Sequence, residues 1–328
     1  MSKTITSASI AFALLCTPAA ADFTTFQVPG ATATHPRAIA NSGVVIGFFD
    51  DPSGAHGFIR ATNGVFTTID VSGATVTDPV AIRSDGTIVG LYSVQSEGRY
   101  AWLGFVRAPD GRITQFQAPH GGIYTSPVSI NNTGWIAGTG EPGGKQLRAF
   151  GFLRSPSGHF WEFGNGLMVR CANSTNTTAG QLYQGSQWHG FVRTPDGALA
   201  QFDPDGATLT TVTAINYSGT ATGSWQLADG HYEGFIRAAD GTLSTFVASQ
   251  NAKLTFALGI NKAGAIVGDY RDQHNFTHGF VRAPNGGVTT LDAPEAFETD
   301  PYGINDKGQI VGEFDSLENG IMGFIWKR

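Results

Sequence analysis

The chain has 328 residues, carries 26 acidic against 20 basic side chains and has a net charge of −6. The basic residues are scattered, so no clustered cations await a phosphate backbone, and nucleic-acid binding is excluded. No apolar run approaches the roughly 20 residues of a membrane-spanning helix, so no membrane insertion is expected.

In chain order, Lys3, an apolar run from Ile10 to Cys16, a break at Pro18 and Ala19-Ala20-Ala21 predict a signal peptide over residues 1–21. Leu15 before Cys16 argues against a lipidation site, which requires a small residue there. Residues 22–328 are expected to form one secreted domain, periplasmic or extracellular and monomeric. Its single remaining cysteine, Cys171, cannot form an internal disulfide, so stability must come from burial.

Two motifs recur seven times each. One is Ile-Asn-x-x-Gly-x-Ile-x-Gly, opening at Ile39, Ile82, Ile130, Ala172, Ile215, Ile260 and Ile304. The other is Gly-Phe-x-Arg, at Gly57, Gly104, Gly151, Gly190, Gly234, Gly279 and, ending in Trp326 instead of Arg, Gly323. Periods of 39 to 48 residues match four short strands per repeat. In the sixth repeat, Leu258 to Asn261 reads as strand A, Ala265 to Tyr270 as B, Gly279 to Arg282 as C and Val288 to Asp292 as D. Asn-Lys-Ala-Gly and Ala-Pro-Asn-Gly supply the intervening turns. The domain opens on Phe23-Thr-Thr-Phe26, a D strand without its repeat, and ends on Gly323 to Trp326, a C strand without its D. The expected fold is an all-β, seven-bladed propeller of four antiparallel strands per blade, in which the N-terminal strand closes the last blade and removes the free edge.

The residues His56-Gly-Phe58, His189-Gly-Phe191 and His278-Gly-Phe280, the Asn-Gly or Asp-Gly turns after five of the six Arg, and Ile-Asn-x-x-Gly-x-Ile-Val-Gly together resemble the HAF-repeat family of extracellular proteins. The resemblance spans residues 22–328 and implies export and repetition, with no activity attached. Repeat four departs from it at Ala172-Asn-Ser-Thr-Asn176, and four repeats lack the histidine before Gly-Phe.

Spacing divides the molecule into a fixed and a variable face. From the Ile of strand A to the last Gly of strand B is eight residues in all seven repeats, and from the Phe of strand C to the end of strand D is eleven in all six continuous ones. The B–C step runs from 10 to 14 residues and the D–A step from 9 to 14. Alternating turns put A–B and C–D on one face and B–C and D–A on the other, so the variable second face is the expected working face. The residue before each Ile is small (Ala38, Ala81, Ser129, Cys171, Ala214, Gly259, Gly303), as crowding of A strands at an axis requires. Cys171 thus reads as buried.

Most candidate chemistry gives way to plainer readings. The repeated Arg residues and His56, His189 and His278 read as structural. Gly138-Thr-Gly140-Glu-Pro-Gly143 precedes a strand, not a helix, and so is no phosphate loop. Asp50-Asp51, Asp269 with Asp272, and Glu313 with Asp315 are placed in B–C loops as solvated acids, without calcium-loop spacing. No nucleophile elbow, zinc helix or Cys-x-x-Cys occurs, and no cofactor or metal is expected. The recurring Thr-x-Pro, assigned to the D–A loops, supplies His35, Asp78, Ser126 and Asp300 at x, with His120, Tyr124 and Tyr302 nearby. The long B–C loops add Arg99, Tyr100, Trp102, Glu141 and Arg148. From these, His35, Asp78, Arg99, Trp102, His120, Tyr124, Asp300 and Tyr302 form the expected ligand-binding set. Their mixture of aromatic, cationic and acidic groups suits a polysaccharide, peptide or protein partner. A non-enzymatic binding module is the favoured function. A polysaccharide hydrolase or lyase with carboxylates at the channel mouth is the alternative.

Overall fold

The computed structural model describes residues 22–96, 99–142, 149–316 and 318–327; the leader expected over residues 1–21, and Arg148, lie outside them. The fold is all-β: the described residues hold 28 strands and a single 3-10 turn, Pro119–Gly121. In every repeat strand A pairs antiparallel with B, B with C, and C with D. The first repeat does so through Ala33–Ile39, Val45–Asp51, Gly54–Arg60 and Phe66–Ile69. The chain ends meet as their composition demanded, Asp22–Phe26 lying antiparallel to Gly320–Lys327 with Phe23 opposite Trp326 and Phe26 opposite Gly323. Phe23 packs on Phe324 at 5.5 Å between ring centroids.

The A strands Ala33–Ile39, Val76–Ile82, Tyr124–Ile130, Leu167–Ala172, Ala207–Ile215, Ala252–Ile260 and Ala296–Ile304 each touch the A strands of both neighbouring repeats, in a closed circle. They therefore form the innermost ring. A Cβ added to Gly303 would lie 3.6 Å from the Cα of Ala38, and one added to Gly259 would lie 3.3 Å from the carbonyl of Tyr302. That closeness is why the position before each Ile is small. Cys171 occupies it in repeat four, buried, its thiol pushed up by desolvation.

The Phe of every Gly-Phe-x-Arg is fully buried: Phe58, Phe105, Phe152, Phe191, Phe235, Phe280 and Phe324. Each contributes about 1.5–3 kcal/mol of burial. The Gly before it leaves room for the end of strand D; a Cβ at Gly234 would stand 2.4 Å from the ring of Phe246. The Arg closes the join between repeats, because its guanidinium stacks on the D-strand Phe of the preceding repeat. Arg60 lies over Phe26, Arg193 over Phe163, Arg237 over Phe202 and Arg282 over Phe246, at 4.4–5.1 Å. Most of these arginines also donate to the carbonyl of the next residue, as Arg193 does to Thr194 at 3.4 Å.

The A–B turns have one length because their asparagines join neighbouring repeats. Asn173 Nδ2 donates to the carbonyl of Asn216 (3.2 Å), Asn216 to Asn261 (3.3 Å), Asn261 to Asn305 (3.2 Å) and Asn305 to Ala40 (3.0 Å). Each Oδ1 meanwhile accepts from its own turn, as Asn261 Oδ1 does from the Ala265 N–H at 2.9 Å.

Two expectations need correction. Strand A of repeat six runs Ala252–Ile260 rather than starting at Leu258, and the same lengthening in other repeats places Thr-x-Pro inside the A strands instead of in D–A loops. Proline is tolerated there because the A strand has an antiparallel partner on one edge only, so its missing N–H breaks no ladder. The buried Thr then clasps the incoming loop: the Val28 N–H donates to Thr34 Oγ1 (3.1 Å), Val71 to Thr77 (3.2 Å), Ala118 to Thr125 (2.9 Å) and Ala293 to Thr299 (3.1 Å). The acids expected in B–C loops, Asp50, Asp51, Asp269, Asp272, Glu313 and Asp315, lie in the B strands Val45–Asp51, Ile266–Asp272 and Ile310–Ser316. Arg99, Tyr100 and Trp102, expected in those loops too, lie in the C strand Arg99–Arg107, with Glu141 at the end of the B strand Ile136–Glu141.

Candidate functional site

Two features of the A–B pair build the site. The residue x of Thr-x-Pro faces the strand-B residue thirteen positions later, giving His35 opposite Phe48, Asp78 opposite Leu91 and Asp300 opposite Glu313; in repeat six, which reads Thr255-Phe256-Ala257 instead, Phe256 takes the same place opposite Asp269. Every A strand then carries a bulge, at Arg37, Val80, Val128, Arg170, Thr213, Leu258 and Tyr302. Such an extra residue bends the strand and re-aims its side chain. The last and first repeats thereby bring His35, Arg37, Asp300, Tyr302 and Glu313 to the inner ring.

His35 is the centre of this group. Its Nδ1 lies 2.9 Å from Glu313 Oε2 and its Nε2 3.3 Å from Asp50 Oδ2, while its ring stacks on Phe48 at 4.5 Å and 18°. A neutral imidazole has one donor, so two flanking carboxylates select the imidazolium. Burial alone would lower the pKa of His35, yet the hydrogen bond and charge of Glu313, with Asp50, raise it. Tyr302 donates its hydroxyl to the other oxygen, Glu313 Oε1, at 3.0 Å, and burial together with the Glu313 and Asp300 charges holds its proton tightly. Arg37 lies over the same Phe48 ring at 4.9 Å and donates from Nε and Nη2 to Asp78, at 3.4 and 3.3 Å. Asp78 is nevertheless pushed up, because its burial outweighs the Arg37 charge.

Next to this chain stand two acids, Asp269 and Asp300, on which the charge of Arg271 acts but does not outweigh their burial. Burial and the charge of Asp300 push Asp269 up to about 7, and burial with the charges of Glu313 and Glu298 pushes Asp300 up to about 6. Near neutrality such a pair holds a proton that it can donate. Among the described residues, no three His, Cys, Asp or Glu side chains are grouped so as to hold a metal.

The expected ligand-binding residues do not form one site. His35, Asp78, Asp300 and Tyr302 come together, through Arg37 and Glu313. Trp102 and Tyr124 meet each other elsewhere, as a parallel pair joining repeats two and three. His120 is exposed, in a left-handed conformation (φ 74°), with Nε2 2.8 Å from Glu162 and its ring edge-on to Phe150. Arg99 opens the strand Arg99–Arg107, and its side chain lies outside the described residues. Sequence reasoning missed Arg37 and left Glu313 and Asp269 as loop acids. The constant thirteen-residue offset between x and its partner was the signal that would have found the last two.

The histidines before Gly-Phe are structural. His56, His189 and His278 each hold an Asp fourteen residues on, at 2.7, 2.6 and 3.1 Å. At His56 the outline of a Ser-His-Asp triad appears, with Ser53 Oγ 2.9 Å from Nε2. Asp51 Oδ1 dismantles it by accepting the Ser53 hydroxyl at 2.6 Å and the backbone N–H groups of Ser53 and Gly54, which an oxyanion site would need free.

No family model matches the chain, and no curated protein sequence matches it. Among solved structures it is similar to virginiamycin B lyase from Staphylococcus aureus, with a TM-score of 0.63 and 13% identity over 94% of this chain and 100% of that one. It is similar also to acylaminoacyl peptidase from Pyrococcus horikoshii, TM-score 0.61 and 9% identity, covering 91% of this chain and 52% of that one. TolB from Acinetobacter baumannii gives a TM-score of 0.50 and 9% identity over 87% and 80%. These likenesses show a β-propeller-like fold and nothing finer. No helix of the described residues is long and apolar enough to cross a membrane.

Proposed function

We propose that this is an exported seven-bladed propeller of the HAF-repeat kind, four strands to a blade and closed by Asp22–Phe26, which binds a polar oligomer, a glycan or a peptide segment, at the inner ring. The closed circle of A strands and the pairing of the chain ends support the architecture. One observation carries the function: the run Tyr302–Glu313–His35–Asp50 beside Arg37–Asp78, an aromatic face with donors and acceptors held by facing strands. Rigid strands fix those side chains, as a binding site requires, and the flanking B–C and D–A loops vary from repeat to repeat. The test is a glycan and peptide array probed with the mature protein and with His35→Ala/Glu313→Gln. Hits lost by the variant at unchanged melting temperature support the reading; hits retained by it move the site elsewhere.

A second reading is acid–base catalysis on the same ligand. It is favoured by the proton-holding Asp269–Asp300 pair next to an imidazole bound by two carboxylates. Virginiamycin B lyase, one structural neighbour, is an enzyme on a comparable scaffold. Incubating array hits with the protein and looking for new chain ends separates the readings: cleavage that disappears in Asp269→Asn supports catalysis, and intact ligand supports binding alone.

A further inference from the structure

The joins between repeats are not all filled alike. At five of them a strand-D Phe supports an Arg from the next repeat: Phe26 with Arg60, Phe116 with Arg154, Phe163 with Arg193, Phe202 with Arg237 and Phe246 with Arg282. At the other two, strand D ends in an aliphatic residue, Ile69 or Leu291, and crevices open on the face of the A–B and C–D turns. The crevice between repeats one and two is small, about 250 Å³, and contains Arg107 together with Arg83 and its ion-pair partner Asp85. The one between repeats six and seven is about 710 Å³, within the range of small-molecule sites. It differs in chemistry as well as size.

There the repeated Arg is replaced by Trp326, buried, with Val281, Val288 and Ile304 completing an apolar wall. The turn position held by Asp85 in the smaller crevice is Lys307 here, and Lys327 joins it. The chain is acidic overall, yet no acid lines this crevice. Four lysines lie among the described residues, and two of them are in it. Nearby acids are engaged or turned aside: Asp306 accepts from Asn41 and from the Lys262 N–H, and Asp22, opposite Lys327 in the sheet, is not part of the wall. We infer that the crevice between repeats six and seven binds a small amphipathic anion, an aryl or alkyl carboxylate whose apolar body lies against Trp326 and whose carboxylate meets Lys307 and Lys327. It is separate from the inner-ring cluster and stands whether or not that reading holds.

The probe is 2-naphthoate, titrated by calorimetry against the mature protein, with 2-naphthamide as its neutral counterpart. Saturable binding below about 1 mM is expected, with Lys307→Gln/Lys327→Gln and the neutral amide each weakening it about tenfold, some 1.4 kcal/mol. Ala283→Phe, which fills the crevice from a lining position, abolishes binding while the melting temperature holds. Absence of saturation up to about 5 mM, or equal affinity for the amide and for both variants, overturns the inference.

Discussion

Replacing Asn261 by Ala removes one link of the asparagine belt that ties the A–B turns of adjacent repeats. Two hydrogen bonds go, one from Nδ2 to the Asn305 carbonyl at 3.2 Å and one accepted by Oδ1 from the Ala265 N–H at 2.9 Å. Asn261 is buried, 6% exposed, so water does not simply take its place. Each bond contributes about 1 kcal/mol net, and stranding a buried partner costs about 1–3 kcal/mol, so the total is about 2–4 kcal/mol. With an unfolding entropy near 2.1 cal/mol/K per residue over roughly 300 residues, 3 kcal/mol corresponds to a fall in melting temperature of about 5 °C. The control is Asn63→Ala, in an exposed C–D turn, where only a 3.2 Å bond from the Val65 N–H is lost and the shift should stay under about 2 °C. Calorimetry or circular dichroism on the three proteins decides the matter. If the Asn261 and Asn63 variants melt together, the belt does not hold the repeats and the fixed turn length has another cause.

Three further outcomes are expected. Asp269 and Asp300 bind their protons more tightly folded than unfolded, so stability is lost as pH rises from about 4 through their folded values near 7 and 6; His35, raised too, acts in the same direction. The melting temperature should therefore climb between pH 8 and pH 5, and Asp269→Asn should be more stable than the parent at pH 8 with a flatter profile; an unchanged slope refutes the assignment. Cys171 should resist thiol reagents until the protein is denatured, and Cys171→Leu should cost about 1–3 kcal/mol by overpacking the inner ring, while Cys171→Ala costs little; rapid labelling of the native protein contradicts this. Deleting residues 22–26 should uncover the edge of Gly320–Lys327 and the face of Phe324 beneath Phe23, causing aggregation or a steep loss of melting temperature; a truncated protein that melts like the parent would show that the N-terminal strand does not close the fold.

Much of the strand order was legible because spacing encodes register. Eight residues from Ile to Gly in every repeat fix which A residue faces which B residue, and the mismatched ends Phe23-Thr-Thr-Phe26 and Gly323 to Trp326 announced their own pairing. The length of strand A was not legible, because Thr-x-Pro carries the marks of a loop. Proline ends a strand only where its N–H is needed, and the inner edge of the A strand needs none. The same misreading scattered the site: His35 and Asp300 were placed in loops, and Glu313 and Asp269 with solvated acids, although each is one member of a cross-strand register.

The crevice between repeats six and seven marks a different limit. Its ingredients stand in the sequence, since strand D ends in Phe in five repeats and in Ile69 or Leu291 in two, and Trp326 breaks the run of arginines. Periodicity cannot say that the Arg of one repeat stacks on the Phe of the repeat before it, because that contact joins residues with no fixed spacing along the chain: Arg60 reaches Phe26 and Arg282 reaches Phe246, each across a join between repeats. Once the contact is known, the two aliphatic ends become places where a guanidinium loses its aromatic support. Repeat seven answers that loss with a Trp and two lysines, whereas repeat two keeps its Arg and adds an Arg83–Asp85 pair that occupies the gap. Making the smaller crevice more positive with Asp85→Lys should therefore not create a second anion site, because Arg107 and Arg83 still occupy the space. Naphthoate binding at a stoichiometry above that of the parent would show that charge alone, and not the volume of the crevice, governs these joins.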